Sequence, residues 1–209
     1  MIRVLIADDH TIVRRGVKQL LAVQPGVEVV AEASDGTEAL NRLRENKVDV
    51  VILDISMPGR SGLDTLKELK RLYPTISVVV LSMHPLDQYA VRVLRAGALA
   101  YITKESAPEE LLQAVQKAYR GGRYITADLA ELLADYVEKG DTEEPHKLLT
   151  DREFEVMLMI ASGKGVSEIA RELNISVKTV STYKGRIVEK TGLASNSEIT
   201  RYSIERYLL

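Results

Sequence analysis

The feature that most constrains this chain is an alternation in its first ~120 residues: five short apolar runs, each followed by a segment of helical periodicity. The runs are Ile2 to Ala7, Val27 to Ala31, Val50 to Asp54, Ser77 to Leu81 and Leu99 to Ile102. Short stretches rich in Val and Ile, bounded by turn residues, predict strands buried on both faces. Between them, Ile12, Val13, Gly16, Val17, Leu20 and Leu21 recur at helical spacing until Pro25-Gly26 breaks the pattern. Ser34-Asp35-Gly36 opens a second helix through Ala39, Leu40 and Leu43. A third is predicted over 62–72, with Leu63, Leu66, Leu69 and Leu72 on one side, closed by Pro74. A fourth covers 86–95, stopped by Ala96-Gly97. Ser106-Ala-Pro-Glu109 has capping-box spacing and starts a fifth, through Leu111, Leu112, Val115 and Tyr119 to Gly121-Gly122. Strict alternation with short loops implies a doubly wound α/β domain, a parallel sheet whose binding crevice lies at the C-terminal ends of the strands.

The polar residues fall on that rim. Asp8 and Asp9 end the first strand, Asp54 the third and Ser82 the fourth, and Lys104 follows the fifth. Three carboxylates brought together repel unless a cation joins them. Oxygen ligands in that number suit a hard divalent ion such as Mg2+, which favours phosphate oxygens. A carboxylate can act as nucleophile toward a phosphoryl group. Lys104 would then be a point charge on a phosphate oxygen, and the Ser82 hydroxyl a hydrogen-bond donor to another. Taken singly these residues say less. An acid at a strand end is usually a turn former, a lone serine a loop hydroxyl, and Tyr101 in a strand a packing residue. It is their convergence that points to chemistry. His10 and His84 lie near the rim but read as rim residues, outside any metal-ligand cluster.

The second half has a different texture. A helix is expected over 126–138, then Gly140 to His146 is polar, acidic and broken by Pro145, as in a linker. Thr150-Asp-Arg-Glu153 has capping-box spacing ahead of Phe154, Val156, Met157, Leu158, Ile160 and Ala161. Helices are then predicted over 167–173, 177–191 and 195–208, the first two joined by the tight turn Asn174-Ile-Ser176, which is helix-turn-helix spacing. At ~100° per residue, Val180, Ile187 and Thr191 share an inner face with Tyr183 beside them. Lys178, Ser181, Thr182, Gly185 and Glu189 fall opposite, flanked by Arg186, and Lys178, Lys184, Arg186 and Lys190 rim this face. Short hydroxyl side chains and a glycine suit close entry to a major groove, with the basic residues on phosphates. From Leu149 onward there are nine basic and eight acidic residues, so the basic signal belongs to one helix and not to the chain, whose net charge is -2. The absence of cysteine removes disulfides and thiolate metal sites. No apolar run approaches the ~20 residues of a membrane span, and the N-terminus has no signal-peptide design. A cytoplasmic protein is expected.

Asp8-Asp9, Asp54 with Met57-Pro58-Gly59, Ser82 and Lys104 resemble the signature of bacterial response-regulator receiver domains, in order and spacing over roughly the first 120 residues. Leu149-Thr150-x-Arg152-Glu153-x-Glu155-Val156, Glu168-Ile169-Ala170 and Asn174-Ile-Ser-Val-Lys-Thr-Val180 resemble the LuxR-type helix-turn-helix of the NarL/FixJ family. The resemblance implies a flavodoxin-like receiver over 1–122, a linker with a helix over 123–147, and an all-α DNA-binding domain over 148–209. It implies Asp54 as phosphoacceptor. Mg2+ would be held by Asp9, Asp54 and the Ser56 backbone carbonyl, helped by Asp8, with Ser82 and Tyr101 as a switch pair. The exposed face of the 177–191 helix gives the expected DNA contacts, Lys178, Thr179, Ser181, Thr182, Lys184, Arg186 and Lys190, although the family often has a long polar side chain where Ser181 and Gly185 stand; the resemblance implies a dimer contact through the last helix. The partners implied are a sensor histidine kinase, promoter DNA and a second copy of the chain. The family often has proline after the lysine, in a cis bond; Glu105 stands there. Aspartyl-phosphate enzymes generally carry a second acid two residues after the nucleophile. Ser56 occupies that place, so no substrate turnover is expected. The alternative is a constitutive DNA-binding protein on a receiver-like scaffold that is not phosphorylated.

Overall fold

A computed structural model describes residues 1–57, 61–138, 144–206 and 208. Pro58 and Gly59 of the turn after Asp54, and residues 139–143 of the expected linker, lie outside the described residues. The chain divides into two compact units, 1–132 and 133–209, each described by itself.

In the first unit β1 (Ile2–Ala7), β2 (Val27–Ala33), β3 (Val50–Asp54), β4 (Ser77–Ser82) and β5 (Ala100–Thr103) form one parallel sheet in the order β2-β1-β3-β4-β5. The helices α1 (Thr11–Ala22), α2 (Gly36–Glu45), α3 (Gly62–Leu72), α4 (Leu86–Arg95) and α5 (Ala107–Tyr119) connect them. This is the flavodoxin-like winding, with its switch point between β1 and β3. Every residue of β3 and β4 is buried, which is why those runs lack polar alternation. Val4, Ile6, Val50, Ile52, Val79, Leu81 and Ile102 pack with Val17 and Leu21 of α1 and Leu111 and Val115 of α5. The opposite parity, Leu5, Val51, Leu53, Val78, Val80 and Tyr101, is equally buried, and α2, α3 and α4 cover it.

Two local expectations change. The edge strand β2 runs on to Ala33, because a register shift between Val4 and Leu5 lets Ala31, Glu32 and Ala33 pair with Leu5, Ile6 and Ala7. Ser106 does not cap α5 through its side chain: its backbone is already αR, and its hydroxyl pairs with Thr103 Oγ1 at 3.0 Å. The Lys104–Glu105 peptide bond is trans.

Beyond α5, α6 (Ala127–Glu138) runs across the division between the units. The second unit continues with a 3-10 turn, Pro145–Leu148, then α7 (Asp151–Ala161), α8 (Val166–Glu172), α9 (Val177–Thr191) and α10 (Asn196–Glu205). The Thr150–Glu153 capping box forms as expected. Leu173–Ser176 joins α8 to α9, turning through Asn174 at φ 52°, a left-handed conformation asparagine tolerates. Ser176 then caps α9 by accepting from the Thr179 N–H. α10 stops at Glu205, short of the expected Leu208, whose N–H instead returns to the Ser203 carbonyl at 2.8 Å.

Candidate phosphoacceptor site and DNA-reading helix

Three strands deliver the acids and the lysine to one pocket. Asp8 follows β1, Asp54 ends β3, and Lys104 follows β5, its backbone N–H held by the Ser82 carbonyl at 2.8 Å. Lys104 Nζ lies 2.6 Å from Asp54 Oδ2 and 2.7 Å from Asp8 Oδ2. Asp8 and Asp54 are each 1% exposed, and the lysine side chain 7%. The carboxylates are also fixed by backbone: Ser56 N–H donates to Asp54 Oδ1 at 2.9 Å, and His10 N–H to Asp8 Oδ1 at 2.7 Å. Burial pushes the Asp54 carboxyl above its usual range, against the pull of Lys104. Burial alone would depress Lys104, but Asp54 and Asp8 outweigh it and hold its ammonium more firmly than in water.

The pocket carries more acid than this one lysine can neutralise. Ligand atoms of Asp8, Asp9, His10 and Asp54 lie within 4.8 Å of one another. Asp8 Oδ2 and Asp9 Oδ1 are both buried, the first 2.7 Å from Lys104 Nζ. Three carboxylates converging on one pocket form a donor set suited to a hard divalent cation. His10 corrects the expectation that it stands apart: its Nδ1 is 2.9 Å from Asp9 Oδ1 and 3.3 Å from Asp8 Oδ1. Its place directly after the two acids was the available signal.

Ser82 and Tyr101 are joined through one residue. Ser82 Oγ accepts from the His84 N–H at 3.0 Å, and Tyr101 Oη donates to the His84 carbonyl at 2.9 Å. Both are fully buried, so the tyrosine ring, expected to turn inward, is already inside. Its phenol is pushed far above the ordinary range by burial. Sequence reasoning missed Gly62. A Cβ there would overlap the Asp54 carbonyl oxygen and Ile55 Cα, so α3 starts directly against the backbone of the central acid.

In the second unit the phase of α9 is as expected. Val180 and Ile187 are buried, while Lys178, Ser181, Thr182, Gly185, Arg186 and Glu189 are exposed. Ser181 Oγ donates to the Val177 carbonyl and Thr182 Oγ1 to the Lys178 carbonyl, each at 3.0 Å. Thr179 shares the cap with Ser176, and Lys184 is half-buried. Lys190 is placed differently from the other basic residues: its Nζ lies 2.6 Å from Glu153 Oε2, an acid 2% exposed that also accepts from the Thr150 N–H at 2.8 Å. Burial raises the Glu153 carboxyl, but Lys190 and Thr150 outweigh it, so its pKa is lowered from 4.5. The stabilisation is therefore complete above that value and lost as pH falls through the lower folded one. Replacing Lys190 with Met should destabilise the unit by about 1–2 kcal/mol, read by urea unfolding at pH 7, with the deficit shrinking below pH 4.5.

Comparison with known proteins agrees with both halves. Residues 4–116 match the family model of the response regulator receiver domain, and residues 147–203 that of the bacterial regulatory proteins of the luxR family. The chain is 39% identical over 209 residues to the response regulator UvrY of Escherichia coli K12, covering all of this chain and 96% of that protein. It is 39% identical over 215 residues to the oxygen regulatory protein NreC of Staphylococcus epidermidis, covering 99% of each. Among solved structures it resembles RcsB of Salmonella enterica serovar Typhimurium bound to the promoter rprA with the phosphomimetic BeF3-. That match has TM-score 0.67 and 32% identity, over 96% of this chain and 97% of that one. The chain belongs to the two-component response regulators of the NarL/FixJ family, transcription regulators that join a receiver domain to a LuxR-type DNA-binding domain. Among the described residues no helix is long and apolar enough to cross a membrane.

Proposed function

We propose that Asp54 is the phosphoacceptor of this regulator and that its phosphorylation by a sensor histidine kinase controls promoter binding by α9. The observation that carries the reading is the buried Lys104 ammonium shared by Asp54 and Asp8 at 2.6 and 2.7 Å. It offsets part of the burial that raises the Asp54 carboxyl and fixes the orientation of that carboxyl. A carboxylate oxygen of Asp54 attacks the phosphorus of a phosphohistidine. The P–N bond breaks as the acyl-phosphate P–O bond forms, and the leaving imidazole keeps the electron pair. Mg2+, held by Asp8, Asp9, Asp54 and the Ser56 carbonyl, would supply charge against the phosphoryl oxygens. Lys104 moves its contact to a phosphoryl oxygen. Ser82 turns its hydroxyl to donate to another, loosening its bond from His84. Because Tyr101 is tied to the same residue, the displacement passes to β5 and the start of α4. No turnover of a substrate follows; the product is a changed surface.

In this reading the receiver spans 1–122, the linker 123–147 and the DNA-binding domain 148–209. Ser181 and Thr182 face base edges, and Lys178, Thr179, Lys184 and Arg186 meet phosphates, with Lys190 contributing only as far as Glu153 releases it. The protein acts in the cytoplasm as a homodimer paired through α10, on half-sites about one helical turn apart. The test is to incubate the full chain with acetyl phosphate and Mg2+. An acid-stable, hydroxylamine-labile adduct should form, EDTA should prevent it, and affinity for promoter DNA should rise in step. A footprint identical with and without phosphodonor would instead establish constitutive binding.

A further inference from the structure

α9 carries a glycine that its own fold does not require. Gly185 lies inside the 15-residue helix Val177–Thr191, away from either cap. Its φ is not left-handed, unlike that of Gly192 at the end of the same helix. A Cβ built on it meets nothing within 4 Å. In an exposed helix interior glycine is less stable than alanine, because its backbone loses more freedom on folding. Among the described residues neither backbone geometry nor internal packing offsets that cost.

We propose that Gly185 sets the depth at which α9 enters the major groove, so that Ser181 and Thr182 can reach base edges. The inference rests on α9 being the reading helix. Ser181 is one helical turn before Gly185 and Thr182 is beside it on the same exposed face. Their side chains are short, and each is drawn back toward the helix by its bond to the Val177 or Lys178 carbonyl. Such groups touch base edges only if the helix backbone itself comes close, and a side chain at 185 would hold it off. The same bonds decide what they read. With the hydroxyl hydrogens turned inward, the outward lone pairs of Ser181 Oγ and Thr182 Oγ1 are acceptors. In the major groove they match the exocyclic amino groups of adenine or cytosine and oppose the carbonyl oxygens of guanine and thymine.

The probe is a pool of duplex DNA randomised over one half-site, bound by the full-length protein in the presence of acetyl phosphate and Mg2+. The bound fraction of the unaltered protein should be enriched in adenine or cytosine at adjacent positions of one strand. Gly185→Ala should slow amide hydrogen exchange across α9, yet weaken binding to the selected sequence roughly tenfold. Gly185→Leu should weaken it further and erase the preference at those positions. Gly16→Ala, at the glycine of α1 that also has open space around it, should leave DNA binding unchanged. Unchanged affinity in Gly185→Ala, or weaker affinity with faster exchange, would overturn the proposal, the second because the glycine would then serve the fold. Lys178→Ala with Arg186→Ala separates the two levels. If that pair also binds normally, α9 is not the reader; if it binds weakly while Gly185→Ala does not, only the depth-setting role fails.

Discussion

Asp54→Asn will accept no phosphoryl group from acetyl phosphate, and its DNA affinity will stay at the unphosphorylated level whatever the phosphodonor. The change is nearly isosteric, and Lys104 keeps its contact with Asp8, so the fold survives. The amide oxygen can face Lys104, but its NH2 then meets the Ser56 N–H that now donates to Asp54 Oδ1. Two donors face each other at a cost of about 1 kcal/mol. The proposed nucleophile is gone altogether, so the expected chemical effect is complete while the structural one is small. Intact-mass spectrometry and a DNA titration, alongside a thermal melt, separate the two. An adduct of equal yield in the variant would remove Asp54 from the role.

The second large effect is expected at Gly62, which makes no contact of its own with a phosphoryl group. A methyl there would overlap the Asp54 carbonyl and Ile55 Cα, and both are backbone that cannot swing aside. Either α3 lifts away, losing the Gly62 N–H bond to the Ile55 carbonyl, or the end of β3 is pushed into the pocket. Gly62→Ala should cost about 1–3 kcal/mol of stability. It should also slow adduct formation on the order of a hundredfold, because displacement by about an ångström is enough to misalign a reacting group. Slow phosphorylation in protein that urea unfolding shows to be fully folded identifies the second effect apart from the first. A rate equal to the unaltered protein would show that α3 is free to move without disturbing Asp54.

These two residues differ in how readable they were. Asp54 announces itself, because a strand buried on both faces admits no polar residue until it ends. The first acid after Val50-Val-Ile-Leu53 therefore marks the rim. The same logic exposed Asp8 and Ser82. The phase of α9 was readable because 3.6-residue periodicity assigns each residue to a face whatever packs against it. Gly62 was opaque: its constraint comes from the backbone of another element, and no local pattern encodes a close approach. The partner of Lys190 was opaque in the same way. By phase Lys190 sits near the other lysines, but Glu153 waits across the unit, and the pair forms only once α7 and α9 have packed. Ser106 shows a local failure, since the capping-box spacing was present but Thr103 claimed the hydroxyl first.

The lysine shared by two acids has one more consequence. Asp8, Asp54 and Lys104 arrive on β1, β3 and the end of β5, so their shared contact forms only when the strands from β1 to β5 have paired. A nascent or misfolded chain contains the same aspartate, yet it lies in water, unheld and uncompetitive as an acceptor. With Asp54 in its proposed role, signalling competence would double as a certificate of assembly, and defective copies would stay mute.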